Sequence, residues 1–148
     1  MRAIVFAALL LAACAAPAGP VVADPAPALP LAQQIRADMA RLEGELRADG
    51  VVAAKIGETA DLGGGLVVRP QAIIEDSRCP SNVQCIWAGR LRVRANVSGD
   101  DVELTLGEPA QTAHGTVLLA VASPGPWAEW PMRELGPKPA YRFGFRRG

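Results

Sequence analysis

Residues 90–106 read RLRVRANVSGDDVELTL, and their alternation of apolar and polar side chains decides the fold. A period of two is typical of a β-strand with one face in a core and the other in water. The apolar positions of the two runs are Leu91, Val93, Ala95, Val97, Val102, Leu104 and Leu106. Ser98-Gly99-Asp100-Asp101 between the runs is a turn sequence, so the stretch predicts an antiparallel hairpin.

Further short strands are predicted on both sides of this hairpin. Runs rich in apolar and β-branched residues occupy 51–56, 66–69, 72–75 and 116–122. In a last run, Tyr141, Phe143 and Phe145 alternate with arginines. About seven short strands separated by turn residues are typical of a sandwich. The sequence therefore predicts a mainly β fold, a small antiparallel β-sandwich over residues 51–148.

An amphipathic helix is predicted before the sandwich, over residues 31–50, with its apolar stripe at 31–48. The stripe consists of Leu31, Ile35, Met39, Leu42 and Leu46, spaced three or four residues apart on one helical face. Such a stripe packs on its own domain, pairs with a second copy or lies on a membrane. Docking on the sheet is the favoured interpretation.

The N-terminus has the features of an export signal. One basic residue, Arg2, precedes the apolar run 3–13, which at 11 residues is shorter than the roughly 20 needed to span a bilayer. Leu11-Ala12-Ala13-Cys14 resembles the lipobox of bacterial lipoproteins, which implies a signal peptide over 1–13 and acylation of Cys14. The alternative is ordinary secretion, with cleavage after Val21-Val22-Ala23, which leaves a soluble periplasmic protein.

Residues 14–30 are rich in alanine and proline and nearly uncharged. Repeated proline favours extended chain, so this segment is interpreted as a tether between the lipidated Cys14 and the domain. Because no aspartate follows Cys14, the pattern resembles lipoproteins sorted to an outer membrane in hosts with two membranes. The expected location is the cell envelope, with the domain facing the periplasm and the membrane reached through the lipid anchor.

The charge balance argues against a nucleic-acid partner. The chain has 15 basic and 15 acidic residues, whereas binding to phosphates requires an excess of basic side chains on one face.

The most distinctive segment is 75–89, which reads EDSRCPSNVQCIWAG. Cys79 and Cys85, separated by five residues in an exported chain, are expected to form a disulfide. In the chain-entropy model, closing this seven-residue loop adds about 2 kcal/mol to the free energy of unfolding. With Cys14 assigned to lipid, the three cysteines divide into one anchor and one pair.

The same segment resembles a family of small bacterial exported proteins and lipoproteins. That family shares Glu-Asp-Ser-Arg-Cys-Pro followed by Val-x-Cys-x-Trp-x-Gly, which residues 75–80 match here together with Val83, Cys85, Trp87 and Gly89. The likeness extends over about residues 51–148. It implies an exported β-rich domain and no assigned activity.

Three functional hypotheses compete for this segment. A thiol-redox site would use Cys79 and Cys85, although cycling pairs usually stand two residues apart at a helix N-terminus. A metal site would add Asp76 or His114, the single histidine, to the two thiolates. In the third hypothesis, the segment recognises a ligand or partner.

The candidate binding residues of this third hypothesis are Glu75, Asp76, Arg78, Trp87, Trp127 and Trp130. Trp127 and Trp130 lie in a Pro/Gly-rich loop, where two tryptophans form a stacking platform for a sugar or peptide or else cover the end of the core. For Asp76 and Arg78 the favoured interpretation is a salt bridge or turn cap that orients the cysteine loop.

No catalytic residue and no cofactor is predicted. Neither Ser77 nor Ser81 lies in a nucleophile-elbow pattern, and the Gly63-Gly64-Gly65 stretch lacks the lysine of a phosphate-binding loop. The leading hypothesis is a non-enzymatic envelope lipoprotein that binds an envelope protein or a glycan. The alternative is a periplasmic metal-binding or thiol-redox protein, and inhibition of an envelope enzyme is a third option.

Overall fold

A computed structural model describes residues 29–148 of the chain. The predicted signal peptide, Cys14 and all of the tether except its last two residues lie outside these described residues. The elements in chain order are α1 (Leu31–Leu46), β1 (Val52–Lys55), β2 (Ala60–Asp61), β3 (Val67–Asp76), β4 (Leu91–Val97), β5 (Asp100–Thr105), β6 (Pro109–Thr112), β7 (Gly115–Ser123), α2 (Met132–Leu135) and β8 (Arg142–Arg147).

The strands form two four-stranded antiparallel sheets that pack as a sandwich. Sheet 1 has the order β1-β8-β7-β6, and sheet 2 has the order β2-β3-β4-β5. The predicted hairpin is confirmed, with Val97 paired to Asp100 across a turn whose two residues, Ser98 and Gly99, have positive φ. The mainly β sandwich preceded by one helix is therefore confirmed, with eight strands in place of about seven.

The core lies between the sheets and is built from the alternating positions. Its largest fully buried side chains are Phe143, Phe145, Leu66, Leu91, Leu104, Leu119, Val68, Val93, Val97 and Val117. The outward positions of β4 are polar, as the alternation predicts. Arg92 hydrogen-bonds to Glu103 of the neighbouring strand, although Arg94 is the residue directly opposite Glu103.

Helix α1 packs on the outer face of sheet 1, which is the favoured arrangement of the sequence analysis. Leu42 and Leu46 contact Val121 of β7, and Ile35 is fully buried. A glycine allows this close approach, because a Cβ at Gly144 would stand 3.2 Å from a methyl of Leu46 and 2.8 Å from a methyl of Val51. The helix ends at Leu46, earlier than the predicted limits of 48 and 50.

The two strands predicted at 66–69 and 72–75 are one strand, β3, which continues through the buried Pro70. The Pro70 carbonyl accepts a hydrogen bond from the amide of Gly57, so the position that lacks an N–H faces away from β4. Proline therefore removes no bond of the β3–β4 ladder. The register of β3 against β4 shifts between Pro70 and Ala72 and again between Ile73 and Glu75.

Neither helix within residues 29–148 combines the length and the apolar character that crossing a bilayer requires.

Candidate functional site

The long connections of the sandwich gather at one end, which we call the loop end. They are residues 77–90 between β3 and β4 and residues 124–141 between β7 and β8. The opposite end, here called the turn end, carries the short turns 62–66, 98–99 and 113–114. The N-terminal half of α1 lies at the loop end, because the indole N–H of Trp127 donates to Asp38 at 3.0 Å.

Residues 77–90 form a hairpin-like loop closed by a disulfide, which we call the stapled loop. Its base continues the β3–β4 ladder, with the Ser77 amide donating to the Arg90 carbonyl at 2.9 Å and the Cys79 amide to the Ala88 carbonyl at 2.8 Å. Cys79 and Cys85 form the predicted disulfide, with their Cα atoms 5.9 Å apart. Two backbone bonds therefore continue the ladder of sheet 2 into the loop, and the disulfide closes the outer part of the loop.

The base of the stapled loop requires a glycine at position 89. Gly89 has a φ of +64°, and a Cβ at this position would overlap the carbonyl oxygen of Ser77 on the facing side of the loop. A left-handed backbone and a close approach both favour glycine.

A polar cluster of Asp76, Arg78 and Tyr141 underlies the stapled loop. Arg78 donates from Nε and Nη2 to the two carboxylate oxygens of Asp76, each at 2.8 Å, and from Nη2 to the Tyr141 hydroxyl at 3.3 Å. The Tyr141 hydroxyl in turn donates to Asp76. The side chains of Arg78 and Asp76 are 11% and 22% exposed, so water screens this bidentate pair less than a surface pair.

The cluster shifts the ionisation of its members. Burial acts to raise the pKa of Asp76, but hydrogen bonds from Arg78 and Tyr141 outweigh it and hold that pKa below its usual range. Burial and the neighbouring carboxylate of Asp76 both raise the pKa of the Tyr141 hydroxyl. At neutral pH the cluster is therefore a carboxylate, a guanidinium and a neutral phenol.

Glu75 also has partners within the domain. Ser77 Oγ donates to its carboxylate at 2.8 Å and Arg90 Nε at 3.0 Å, and these two bonds lower the pKa of Glu75. Three predicted binding residues, Glu75, Asp76 and Arg78, thus hold the stapled loop in place. Tyr141 completes the polar cluster, and its alternation with arginines in the sequence predicts only a strand position.

The three candidate tryptophans occupy different environments. Trp127 and Trp130 are half-buried, and their indole N–H groups donate within the domain, to Asp38 at 3.0 Å and to the Gly136 carbonyl at 2.8 Å. Trp87 is 81% exposed. Of the three, Trp87 is the one whose ring faces solvent.

Trp87 belongs to an apolar tip formed by Val83, Ile86 and Trp87 on the stapled loop. Ile86 is 92% exposed and Val83 is also exposed. Another part of the loop is fixed to the 124–141 connection, because the Ser81 amide donates to the Pro126 carbonyl at 2.7 Å and the Ala128 amide to Asn82 Oδ1 at 3.1 Å. The tip is the part of the loop left to project.

The cysteines and the histidine are far apart in the fold. His114 lies in a turn-end loop, with Nε2 3.5 Å from an Asp100 carboxylate oxygen, whereas the disulfide lies at the loop end. Over residues 29–148, no group of three or more His, Cys, Asp or Glu side chains is positioned to hold a metal ion. His114 therefore does not join the two cysteines in one site.

Comparisons of the chain with models of protein families, with curated proteins and with solved structures found no match. The functional assignment therefore depends on the geometry of the loop end. At this end a disulfide-closed loop, braced by the polar cluster, presents large apolar side chains to solvent.

Replacing Asp76 with asparagine is expected to lower the free energy of unfolding by about 2 kcal/mol, because Arg78 loses its counter-charge in a partly buried place. Urea denaturation of the two proteins measures the difference. The matched control is Glu58→Gln in the exposed Lys55–Glu58 pair, with a 3.9 Å separation. This change is expected to stay within about 0.5 kcal/mol. Equal effects of the two substitutions would contradict the structural role of the cluster.

Stability is expected to depend on pH through the same cluster. Because the folded pKa of Asp76 is lowered, its contribution is complete above the unfolded pKa of about 4 and is lost as pH falls through the folded value. The difference in free energy of unfolding between wild type and Asp76→Asn is therefore expected to narrow in acid.

Tyr141 is expected to make stability depend on pH in the alkaline range. Because the folded pKa of Tyr141 is raised, its contribution to stability is lost only as pH rises above about 10. The Tyr141→Phe variant has no phenol to ionise and should not show this loss. Denaturation curves between pH 3 and 11 test both directions, and gaps independent of pH would contradict them.

Proposed function

We propose that the protein is a lipid-anchored protein of the bacterial cell envelope whose β-sandwich is a binding module and not an enzyme. The anchor part of the proposal is supported by the short apolar run 3–13, the lipobox-like Leu11-Ala12-Ala13-Cys14 and the proline-rich tether up to residue 30. In this proposal Cys14 attaches the chain to the outer membrane, and the domain works in the periplasm.

The binding part of the proposal depends on one observation, the exposure of Ile86 and Trp87 on a stapled loop. Large apolar side chains held in water lose the free energy that burial would provide, roughly 1.5–3 kcal/mol for a side chain such as isoleucine. Tryptophan is also a residue type that often dominates binding energies at interfaces. The disulfide and the ladder bonds preorganise the loop, so binding loses little conformational entropy.

The stapled loop supports the proposal better than the Trp127–Trp130 segment does. The indole N–H groups of that segment are already bonded to Asp38 and Gly136, and both side chains are half-buried. A sugar platform there would need at least one open ring face and free polar partners. Trp87 offers a ring that faces solvent, so we assign the contact with the envelope to the apolar tip.

The anchor is tested by intact-mass measurement of the mature protein isolated from membranes of a bacterial host. The expected chain begins at Cys14 and carries the added mass of acyl chains, whereas Cys14→Ser is expected to remain unacylated and uncut at that site. A mature chain that begins at Asp24 would overturn the anchor and leave a soluble periplasmic protein.

Photo-crosslinking in living cells tests the contact element. A photo-reactive amino acid in place of Gln84 reports on the apolar tip, and the same amino acid in place of Ala113 reports on the turn end as a matched exposed control. We expect adducts with an envelope component from position 84 and at least tenfold fewer from position 113. Trp87→Ser should remove the adducts from position 84. Equal yields from the two positions would contradict a dedicated contact loop.

A further inference from the structure

The exposed large apolar side chains of the domain are concentrated at the loop end. Seven such residues occur within 29–148, and five of them lie at the loop end. These five are Leu29, where the chain enters the domain, and Val83, Ile86, Trp87 and Met132 of the two long connections. The other two, Ile56 and Ile74, follow β1 and lie within β3. In the described part of the chain, the turn end carries none. The exposed large apolar side chains of the described residues therefore lie mostly at one end of the domain.

The surface of the apolar tip is also uncharged. From Cys79 to Gly89 the sequence contains no acidic or basic residue, and the cysteines are joined in the disulfide. The charged residues that flank this run, Arg78 and Arg90, are paired with Asp76 and Glu75 at the base of the loop. Protein interfaces usually combine apolar anchors with polar and charged rims. An uncharged projection of valine, isoleucine and tryptophan fits a lipid interface, where tryptophan sits at the level of the headgroups.

The chain enters the domain at this same end. Leu29 precedes α1, and the N-terminal half of α1 lies at the loop end, where Asp38 is bonded to Trp127. Fourteen residues separate Leu29 from Cys14, so the connection spans at most about 50 Å. A lipid at Cys14 would therefore pull the domain toward the membrane by the end that carries the apolar tip.

We propose that Val83, Ile86 and Trp87 insert into the interface of the lipid bilayer that carries the anchor. This inference rests on the proposed function and names a bilayer as the partner of the loop. A flexible tether alone leaves the domain free to rotate, whereas a second apolar contact adds affinity and fixes its orientation. Insertion of the tip holds the turn end away from the membrane.

The test uses the full acylated protein reconstituted in vesicles of zwitterionic phosphatidylcholine, with and without bromine atoms on the upper part of the acyl chains. Bromine quenches tryptophan at short range, so part of the emission is expected to be quenched, and Trp87→Phe removes that part. Ile86→Ser should lower the ratio of inserted to free tip by roughly tenfold, because it removes an apolar side chain from lipid. Ile74→Ser is the matched control, the same change at an exposed isoleucine of the sheet, and should leave quenching unchanged.

Three further results decide between lipid and other partners. Because the tip is uncharged, quenching should be the same in 0.1 M and 1 M salt, and a loss in high salt would overturn insertion in favour of electrostatic adsorption. The inference is also overturned if aqueous acrylamide still quenches Trp87 fluorescence and brominated lipid does not. It is likewise overturned if the photo-reactive residue at position 84 crosslinks to a protein and not to lipid. Flotation of the vesicles with wild type and Cys14→Ser reports the anchor separately. The proposed function and this inference can therefore fail independently.

Discussion

The bidentate pair between Arg78 and Asp76, completed by the Tyr141 hydroxyl, is the interaction on which the loop end depends. A sandwich is open at its ends, and Asp76 stands opposite Leu91, at an inward-facing position where the core stops. Tyr141 stacks on the core residue Phe143 with 5.7 Å between ring centroids and belongs to the chain entering sheet 1, whereas Asp76 ends a strand of sheet 2. The cluster therefore joins the two sheets and satisfies its own polar groups. The stapled loop begins within it, so the direction of the apolar tip depends on this pair.

Much of the fold follows from local pattern, and the exceptions have tertiary causes. The alternation in 90–106 favours the central hairpin, because a register shift of one residue would turn its apolar side chains away from the core. Two strands were predicted on either side of Pro70, but a proline is tolerated within a strand when its missing N–H faces outward, and the sequence does not show which side that is. The two short strands β2 and β6 lack a strong pattern of their own. They exist because longer neighbours offer them hydrogen bonds.

The segment that forms the candidate site was predictable from the sequence, but which of its side chains face solvent was not. Two closely spaced cysteines in a chain expected to be exported predicted the stapled loop, and turn residues between them supported its reversal. The burial of Trp127 depends on Asp38, which lies 89 residues away in sequence, so local composition could not distinguish it from Trp87. The sequence also does not show which side of the loop projects, because that depends on the hydrogen bond from the Ser81 amide to the distant Pro126 carbonyl. The uncharged run from Cys79 to Gly89 was the one sequence signal for it.

The irregular course of β3 has a consequence for self-association. β2 covers only Val67 and Val68, which leaves most of β3 as the edge of its sheet. Straight, unpaired edges recruit strands from neighbouring molecules and begin aggregation. Here Pro70 lacks a donor, and two register shifts bend the backbone beyond it, so an incoming strand meets no continuous row of partners. Molecules crowded together on one surface can thus remain separate.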